Sequence, residues 1–211
     1  MKKFTPTLFL LLVLVFVVLT ACSKPKAEPE APAPEVSVLA KALQAELVQI
    51  DTAMETQIKA IAGKIGNEAE IRELLKAMPP AHPAIMTSCY VDTKGILKYL
   101  EPAKYKDSEG ADISKQDHTI AMLKDPRPIL STAFKAVEGF SAVILSRPLY
   151  DAKNKFSGSL VLTIDTSLLP KIVLDKNAVP ENYELWAMEP DGMTVCDQDK
   201  DEIALNIFTD P

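Results

Sequence analysis

Three cysteines, two histidines and one late run of acids are the residues of this 211-residue chain whose types invite a chemical reading. Their spacing excludes most of that chemistry. Two histidines, His82 and His118, cannot build a histidine-rich metal site, and no CxxC, HExxH or mixed Cys/His cluster occurs. The run Asp197-Gln198-Asp199-Lys200-Asp201-Glu202 has the acids of a calcium loop but lacks the loop glycine and the spaced final carboxylate, so it reads as a solvated loop. No GxSxG, no phosphate loop and no serine with a histidine and an acid at a recognised spacing appears. None of the 29 acids is singled out as a general acid or base. The expectation is a protein that is not an enzyme, with no metal and no cofactor. Cys89 and Cys196 are either a disulfide of an oxidising compartment or two buried thiols packed as small hydrophobes. The sequence leaves both open, because backbone approach decides between them.

Cys22 differs, because its surroundings form a pattern. Lys2 and Lys3 precede an apolar run from Leu8 to Leu19, followed by Thr20-Ala21-Cys22. That is the layout of a secretory signal: the run falls short of the roughly 20 residues a spanning helix needs, and small residues admit a peptidase to the bond before Cys22. Leu19-Thr20-Ala21-Cys22 resembles the lipobox of bacterial lipoproteins. The resemblance implies that the Cys22 thiol receives a diacylglycerol, that residues 1–21 are removed, and that the new amino group is acylated. Several acyl chains on one residue make a stable membrane anchor. Ser23, where an Asp would retain the protein at the inner membrane, resembles the pattern sorted to the outer membrane of diderm bacteria, facing the periplasm.

Loss of Lys2 and Lys3 with the leader moves the formal charge from −6 to −8. An acidic exported chain is a poor partner for nucleic acid or for an anionic lipid surface. Residues 22–36 hold the cysteine and a Lys/Pro/Ala/Glu stretch, SKPKAEPEAPAPEV, which can bury little apolar area and reads as an extended tether. Residues 37–211 then suffice for one ordinary domain with a real core.

The elements that must position any site follow from periodicity. Leu39, Leu43, Leu47, Ile50, Met54, Ile58, Ile61 and Ile65 recur at steps of three and four, which predicts a long amphipathic helix. Gly63 and Gly66 loosen its end, and a second short helix carries Ile71, Leu74 and Leu75 up to Pro79-Pro80. Ala84 to Val91 reads as a strand, Asp92-Thr93-Lys94-Gly95 as a tight turn, and Ile96 to Leu100 as the returning strand. Helical spacing is expected from Asp112 to Leu123, capped by Asp112 or Ser114, and again from Ile129 to Val137. Two long strands, Phe140 to Tyr150 and Phe156 to Asp165, flank a loop at 151–155. A short helix from Leu168 to Leu174 and a last hairpin about Pro190-Asp191-Gly192 complete the chain. The fold class is α+β: a long N-terminal helix on an antiparallel sheet of five or six strands, with helices inserted between the second and third.

The segments YVDTKGILKYLEP, GADISKQDHTIAML, PILSTAFKAVEGFSAVILSRPLYDAKNKFSGSLVLTID and WAMEPDGMTVCDQDKDEIALNIFTDP, in that order, are similar to the Cache domain, a PAS-like extracytoplasmic sensor fold. The resemblance implies a ligand pocket between the sheet and the helix that crosses it. Its expected lining here is Tyr99, Tyr105, Lys115, His118, Ser131, Arg147, Asp165 and Trp186. A few charged or hydrogen-bonding groups in an apolar cleft suit a small anion or polar metabolite. Arg147 could clamp a carboxylate and Asp165 an amine; equally, Arg147 could sit at a sheet end in solvent and Asp165 could cap the next helix. Ser114-Lys115-Gln116-Asp117-His118 stands where amino-acid-binding members carry aromatic and arginine residues, so an amino-acid ligand is not expected.

Cache domains usually sit between transmembrane helices of a receptor or kinase. This chain shows neither a second span nor a signalling domain, so a separate membrane receptor or kinase would read the bound state. Relatives continue beyond the point at which this sequence stops, so the fold is expected either to be completed by a partner or to be truncated. Two classes of function compete: a ligand-binding sensory lipoprotein, or a structural or assembly lipoprotein of the envelope with a degenerate Cache fold and no ligand. Whether the protein forms a homodimer is open.

Overall fold

A computed structural model describes residues 35–61 and 67–210. The leader, Cys22, the tether and the break at Gly63 and Gly66 lie outside the described residues. Helix α1 (Val36–Ile61) buries Leu39, Leu43, Ile50, Met54 and Ile61, the face that the three-and-four spacing predicts. Asn67 begins α2 (Glu68–Lys76) by accepting the Glu70 N–H on its side chain, and a single turn over Pro79–Ala81 leads into the sheet. Among the described residues no helix is long and apolar enough to cross a membrane.

The sheet consists of β1 (Ile85–Val91), β2 (Leu97–Glu101), the two-residue strands β3 (Ile129–Leu130) and β4 (Phe134–Lys135), β5 (Ser141–Tyr150) and β6 (Phe156–Ile164). Its order is β2-β1-β6-β5-β3, with β4 pairing further along β5, and every pairing is antiparallel. Helix α3 (Asp117–Lys124) lies between β2 and β3 in the chain, and α4 (Leu168–Lys176) follows β6. A separate hairpin, β7 (Ala187–Met188) with β8 (Thr194–Cys196), follows α4, and Asn206 beyond it bridges back to Met193. The six-stranded antiparallel sheet behind a long N-terminal helix is the architecture that the sequence predicts.

Alternation along the strands sorts the core onto two faces. Leu160, Leu162 and Ile164 of β6 join Leu145 and Leu149 of β5 beneath α1, α2 and α4. Val161, Cys89, Val91 and Ile144 point the other way, to Leu97, Leu100 and Ile113 under the segment that leads to α3. The two cysteines are free and buried, Cys89 in the second cluster and Cys196 in the first. Burial pushes both thiols well above the ordinary range, so neither is a nucleophile at neutral pH.

Two glycines are fixed by close approach. At Gly95 (φ +79°) a Cβ would stand 2.7 Å from the Cα of Ser114, so the β1–β2 turn can tuck against the entry to α3. At Gly158 (φ +128°) a Cβ would collide with the Val91 carbonyl.

Two expectations fail. No helix runs from Ile129 to Val137; that segment supplies β3 and β4 to the outer edge of β5. Ile129, Ala133 and Val137 recur every fourth residue and imitate a helix face. The edge of β5 offers backbone partners that a helix there would leave unmet. Nor does a helix begin at Asp112 with a cap from Asp112 or Ser114. Asp112 accepts the Ser114 N–H (2.9 Å), and residues 110–113 run beside Gly95–Leu97, with Ile113 N–H donating to the Gly95 carbonyl (2.9 Å) and Leu97 N–H to Ala111 (3.0 Å). Helix α3 therefore starts later, behind Gln116, which makes no side-chain capping bond.

Candidate functional site: a cleft at the start of α3

The entry to α3 and the β3–β4 segment face one another across a cleft of about 360 Å³. Lys115, Gln116, Asp117 and His118 line one wall; Ile129, Ser131, Thr132 and Phe134 line the other. Ser131 fixes the second wall. Its N–H donates to the Ile144 carbonyl (3.0 Å), and its Oγ accepts the Ile144 N–H (3.0 Å) while donating to the Thr132 carbonyl (2.7 Å). The hydroxyl thus stands in for a carbonyl where the chain steps from β3 to β4, and its bonding is already used by the scaffold.

His118 is 9% exposed, and its ring lies against Phe134 with centroids 5.0 Å apart. Among the described residues its nitrogens find no hydrogen-bond partner. Burial pushes its pKa down to about 4, opposed only in part by Asp117, so the imidazole is neutral at pH 7. A neutral imidazole offers one donor and one acceptor. Lys115 and Asp117 are exposed, and Lys115 makes no ion pair among the described residues, although its charge reaches Asp112.

Lys115, His118 and Ser131 are therefore brought together, and the remaining expected site residues lie elsewhere. Tyr105 shares the cleft's side of the sheet but packs edge-on to Phe140 (5.7 Å), with Lys104 over its ring. Tyr99 points to the helices, stacked on Tyr90 (5.9 Å) beneath the Arg72 guanidinium. Arg147 also points that way, neither free in solvent nor in the cleft: it grips Asp51 of α1 through two bonds of 2.6 Å and Glu55 through one of 3.3 Å. Asp51 raises the Arg147 pKa despite partial burial. Asp165 neither lines the cleft nor caps α4, whose N-cap is Ser167 without a side-chain capping bond; it accepts from the N–H and Oγ of Ser167 in the turn ahead of the helix and pairs with Lys200 (2.9 Å). Burial resists its ionisation, but the Ser167 and Lys200 bonds prevail and hold its pKa low. A second depression of about 400 Å³ adjoins that pair, lined also by Lys135, Ser141 and Asp201. Trp186 is half-buried before β7 and lines neither.

Sequence reasoning missed Phe134, Ile129 and Thr132, because it read their segment as a helix. It also missed two tertiary clamps. Glu46, buried on α1, accepts from Lys176 (2.7 Å) and from His82 (3.1 Å), while His82 Nδ1 accepts the Ala84 N–H (3.1 Å). That pattern fixes the tautomer with the proton on Nε2. Arg72 of α2 forks onto Glu109 (2.6 and 2.9 Å), and Glu109 also accepts the Leu100 N–H (2.9 Å), which ties α2 to the segment covering the second core. Among the described residues no cluster of three His, Cys, Asp or Glu side chains suits a metal.

Residues 45–166 match the model of a family described as HK/GC/chemotaxis protein-like, sensor domain. An extracellular ligand-binding receptor from Desulfohalobium retbaense superposes with a TM-score of 0.71 at 23% identity, over 81% of this chain and 32% of that one. The ligand-binding domain of the Pseudomonas fluorescens chemoreceptor CtaA, complexed with L-serine, gives 0.63 at 17% identity, over 81% of this chain and 72% of that one. The ligand-binding domain of the Pseudomonas aeruginosa amino acid chemoreceptor PctC, complexed with GABA, gives 0.61 at 16% identity, over 81% and 76%. These likenesses establish a Cache-type, PAS-like sensor fold. No curated protein sequence matches the chain.

Proposed function

The chain belongs to the HK/GC/chemotaxis protein-like sensor domain family, and from that premise we propose that it is an exported sensory lipoprotein: Cys22 carries the lipid, residues 22–36 hold the domain off the membrane, and residues 37–211 bind a small molecule in the cleft at the start of α3. A separate membrane receptor or kinase reads the bound state. The role is recognition and signalling, with no reaction catalysed.

The observation that carries the reading is His118, a buried imidazole on the wall of the cleft that makes no hydrogen bond among the described residues. A ligand entering the cleft can supply the hydrogen bonds that this imidazole's donor and acceptor do not find among the described residues. A structural lipoprotein with a degenerate fold would be expected to fill that space with apolar side chains. Any signal must come from a ligand's unequal affinity for two conformations. Glu109, with Arg72 on one side and Leu100 on the other, links the segment leading to α3 with α2.

A thermal-shift screen of the lipidated chain in detergent, against small organic acids, amines, sugars and purines, tests the reading. A ligand at a hundred times its dissociation constant adds roughly 2.7 kcal/mol. At least one compound should raise the midpoint in the wild type and not in His118→Phe; no shift from any compound would sink the sensing reading. Cells grown on labelled palmitate should tag the wild type and leave Cys22→Ala untagged.

A further inference from the structure

Helix α3 presents unused donors to the cleft. Gln116 gives α3 no side-chain cap, and its own N–H goes to the Ile113 carbonyl (3.0 Å). The Thr119 and Ile120 N–H groups both return to the Gln116 carbonyl (2.9 Å each). The N–H groups of Asp117 and His118 are left without a partner among the described residues, at the positive end of the helix dipole. A second and independent feature lies beside them. The His118 side chain is 9% exposed, lines the cleft and makes no hydrogen bond among the described residues. Lys115 adds an ammonium group on the same wall, outside any ion pair among the described residues. Against these donors stand two exposed carboxylates, Asp117 in the lining and Asp112 near enough to act on Lys115. The opposite wall is largely apolar, with Phe134 and Ile129 half-buried and the Ser131 hydroxyl already engaged.

Resting on the sensor reading, we infer that the cleft takes a small monocarboxylate without an ammonium group, its carboxylate held by the free amides of α3, His118 Nε2 or Nδ1, and Lys115, and its apolar body against Phe134 and Ile129. An anion at the start of α3 uses donors that no side chain uses among the described residues. A carboxylate accepts several such bonds at once, whereas a neutral amide would set its own N–H groups against the same donors. Asp117 sets the limit, because its charge is shared between the helix end and the incoming anion.

The test is calorimetric titration of the full chain in detergent with acetate, butyrate, benzoate and phenylacetate, each against its amide, and with L-alanine and GABA as ammonium-bearing probes. The expected result is binding of at least one acid, with its amide weaker by tenfold or more. Lys115→Met, on the surface, should weaken that acid by threefold or more without moving the thermal midpoint. Asp117→Asn should tighten it. Gln116→Asp is the sharpest variant. An N-cap carboxylate accepts from the second or third N–H of the helix, so it should raise the thermal midpoint while weakening the acid tenfold or more.

Equal binding of acid and amide, or binding of alanine or GABA with loss in Asp117→Asn, would overturn the monocarboxylate while leaving a sensor of another ligand. If no acid binds, the inference falls, and the wider thermal-shift library then decides separately whether the cleft binds anything.

Discussion

The two faces of the central sheet treat their charges in opposite ways. Beneath the helices the charges that tie elements together are paired: Arg147 grips Asp51 and Glu55, Glu46 takes Lys176 and His82, and Arg72 forks onto Glu109. Across the sheet, at the start of α3, a buried imidazole and the amides of Asp117 and His118 are without partners among the described residues, and an exposed ammonium group lies beside them. One face uses polar chemistry to hold elements in register; the other leaves it available. A buried charge with its partner removed is expensive, so the first face should answer substitution with lost stability. The second should answer mainly with lost binding.

The largest effect is expected at Glu46. Burial opposes its ionisation, yet the bonds from Lys176 and His82 prevail and keep its pKa below the ordinary value. Removing the carboxylate in Glu46→Ala leaves a buried His82 Nε2–H without its acceptor and Lys176 without its ion pair. Urea denaturation should show a loss of about 3–5 kcal/mol, with binding in the cleft unchanged once the protein is folded. A loss under 1 kcal/mol would show that the network is decorative and the contrast between faces false.

Next is a pH effect from the cleft side. His118 resists protonation down to about 4, against an ordinary value of 6.5. The unfolded chain takes up a proton as pH falls through 6.5 and the folded one does not, so stability falls between pH 6.5 and about 4 and is unaffected by this group above 6.5. The expected loss is about 3 kcal/mol across that window. His118→Phe should flatten the slope there, leaving the steeper fall below it that Glu46 and the other depressed carboxylates produce. A bound anion should flatten the same window in the wild type, since it favours the charged imidazole. Urea midpoints at half-unit pH steps read all three curves, and an unchanged slope in His118→Phe would place the titration elsewhere.

How far the sequence could foresee this contrast depends on range. Leu39, Leu43, Ile50 and Met54 announce α1 because a helix face is written in local spacing, and the Asp92–Gly95 turn declares itself by residue type. The two-residue strands β3 and β4 have no period to read, and only the free edge of β5 decides their state. The same holds for the charges. Lys115 and His118 lie within one short segment and line one wall together, whereas Asp51 is 96 residues from Arg147, and Lys176 is 130 from Glu46. A clamp of that reach leaves no trace in a motif. Cys89 and Cys196 likewise declare themselves only by the faces on which their strands place them.

Arg147 supplies a smaller test of the same contrast. Its two bonds to Asp51 are charge-assisted and half-buried, so Arg147→Met should cost about 1–3 kcal/mol by the ordinary worth of hydrogen bonds to charged groups. Binding of any acid in the cleft should be unchanged, because the guanidinium lies on the helix side. Asp51→Asn should cost a similar amount, and the double variant should cost less than the sum, since the two side chains share one interaction.

The smallest stability effect belongs to Lys115, and there the comparison is sharpest. Lys115 is exposed and outside any ion pair among the described residues, so Lys115→Met should change stability by no more than about 0.5 kcal/mol. The same change removes an ammonium group from the wall of the cleft. If the cleft is where this chain keeps its chemistry, Lys115→Met must separate the two readouts: an unmoved urea midpoint and a weakened acid. Glu46→Ala must do the reverse. Were both variants to move both quantities together, the two faces would form one cooperative unit, and the division of the charges between scaffold and site would have to be abandoned.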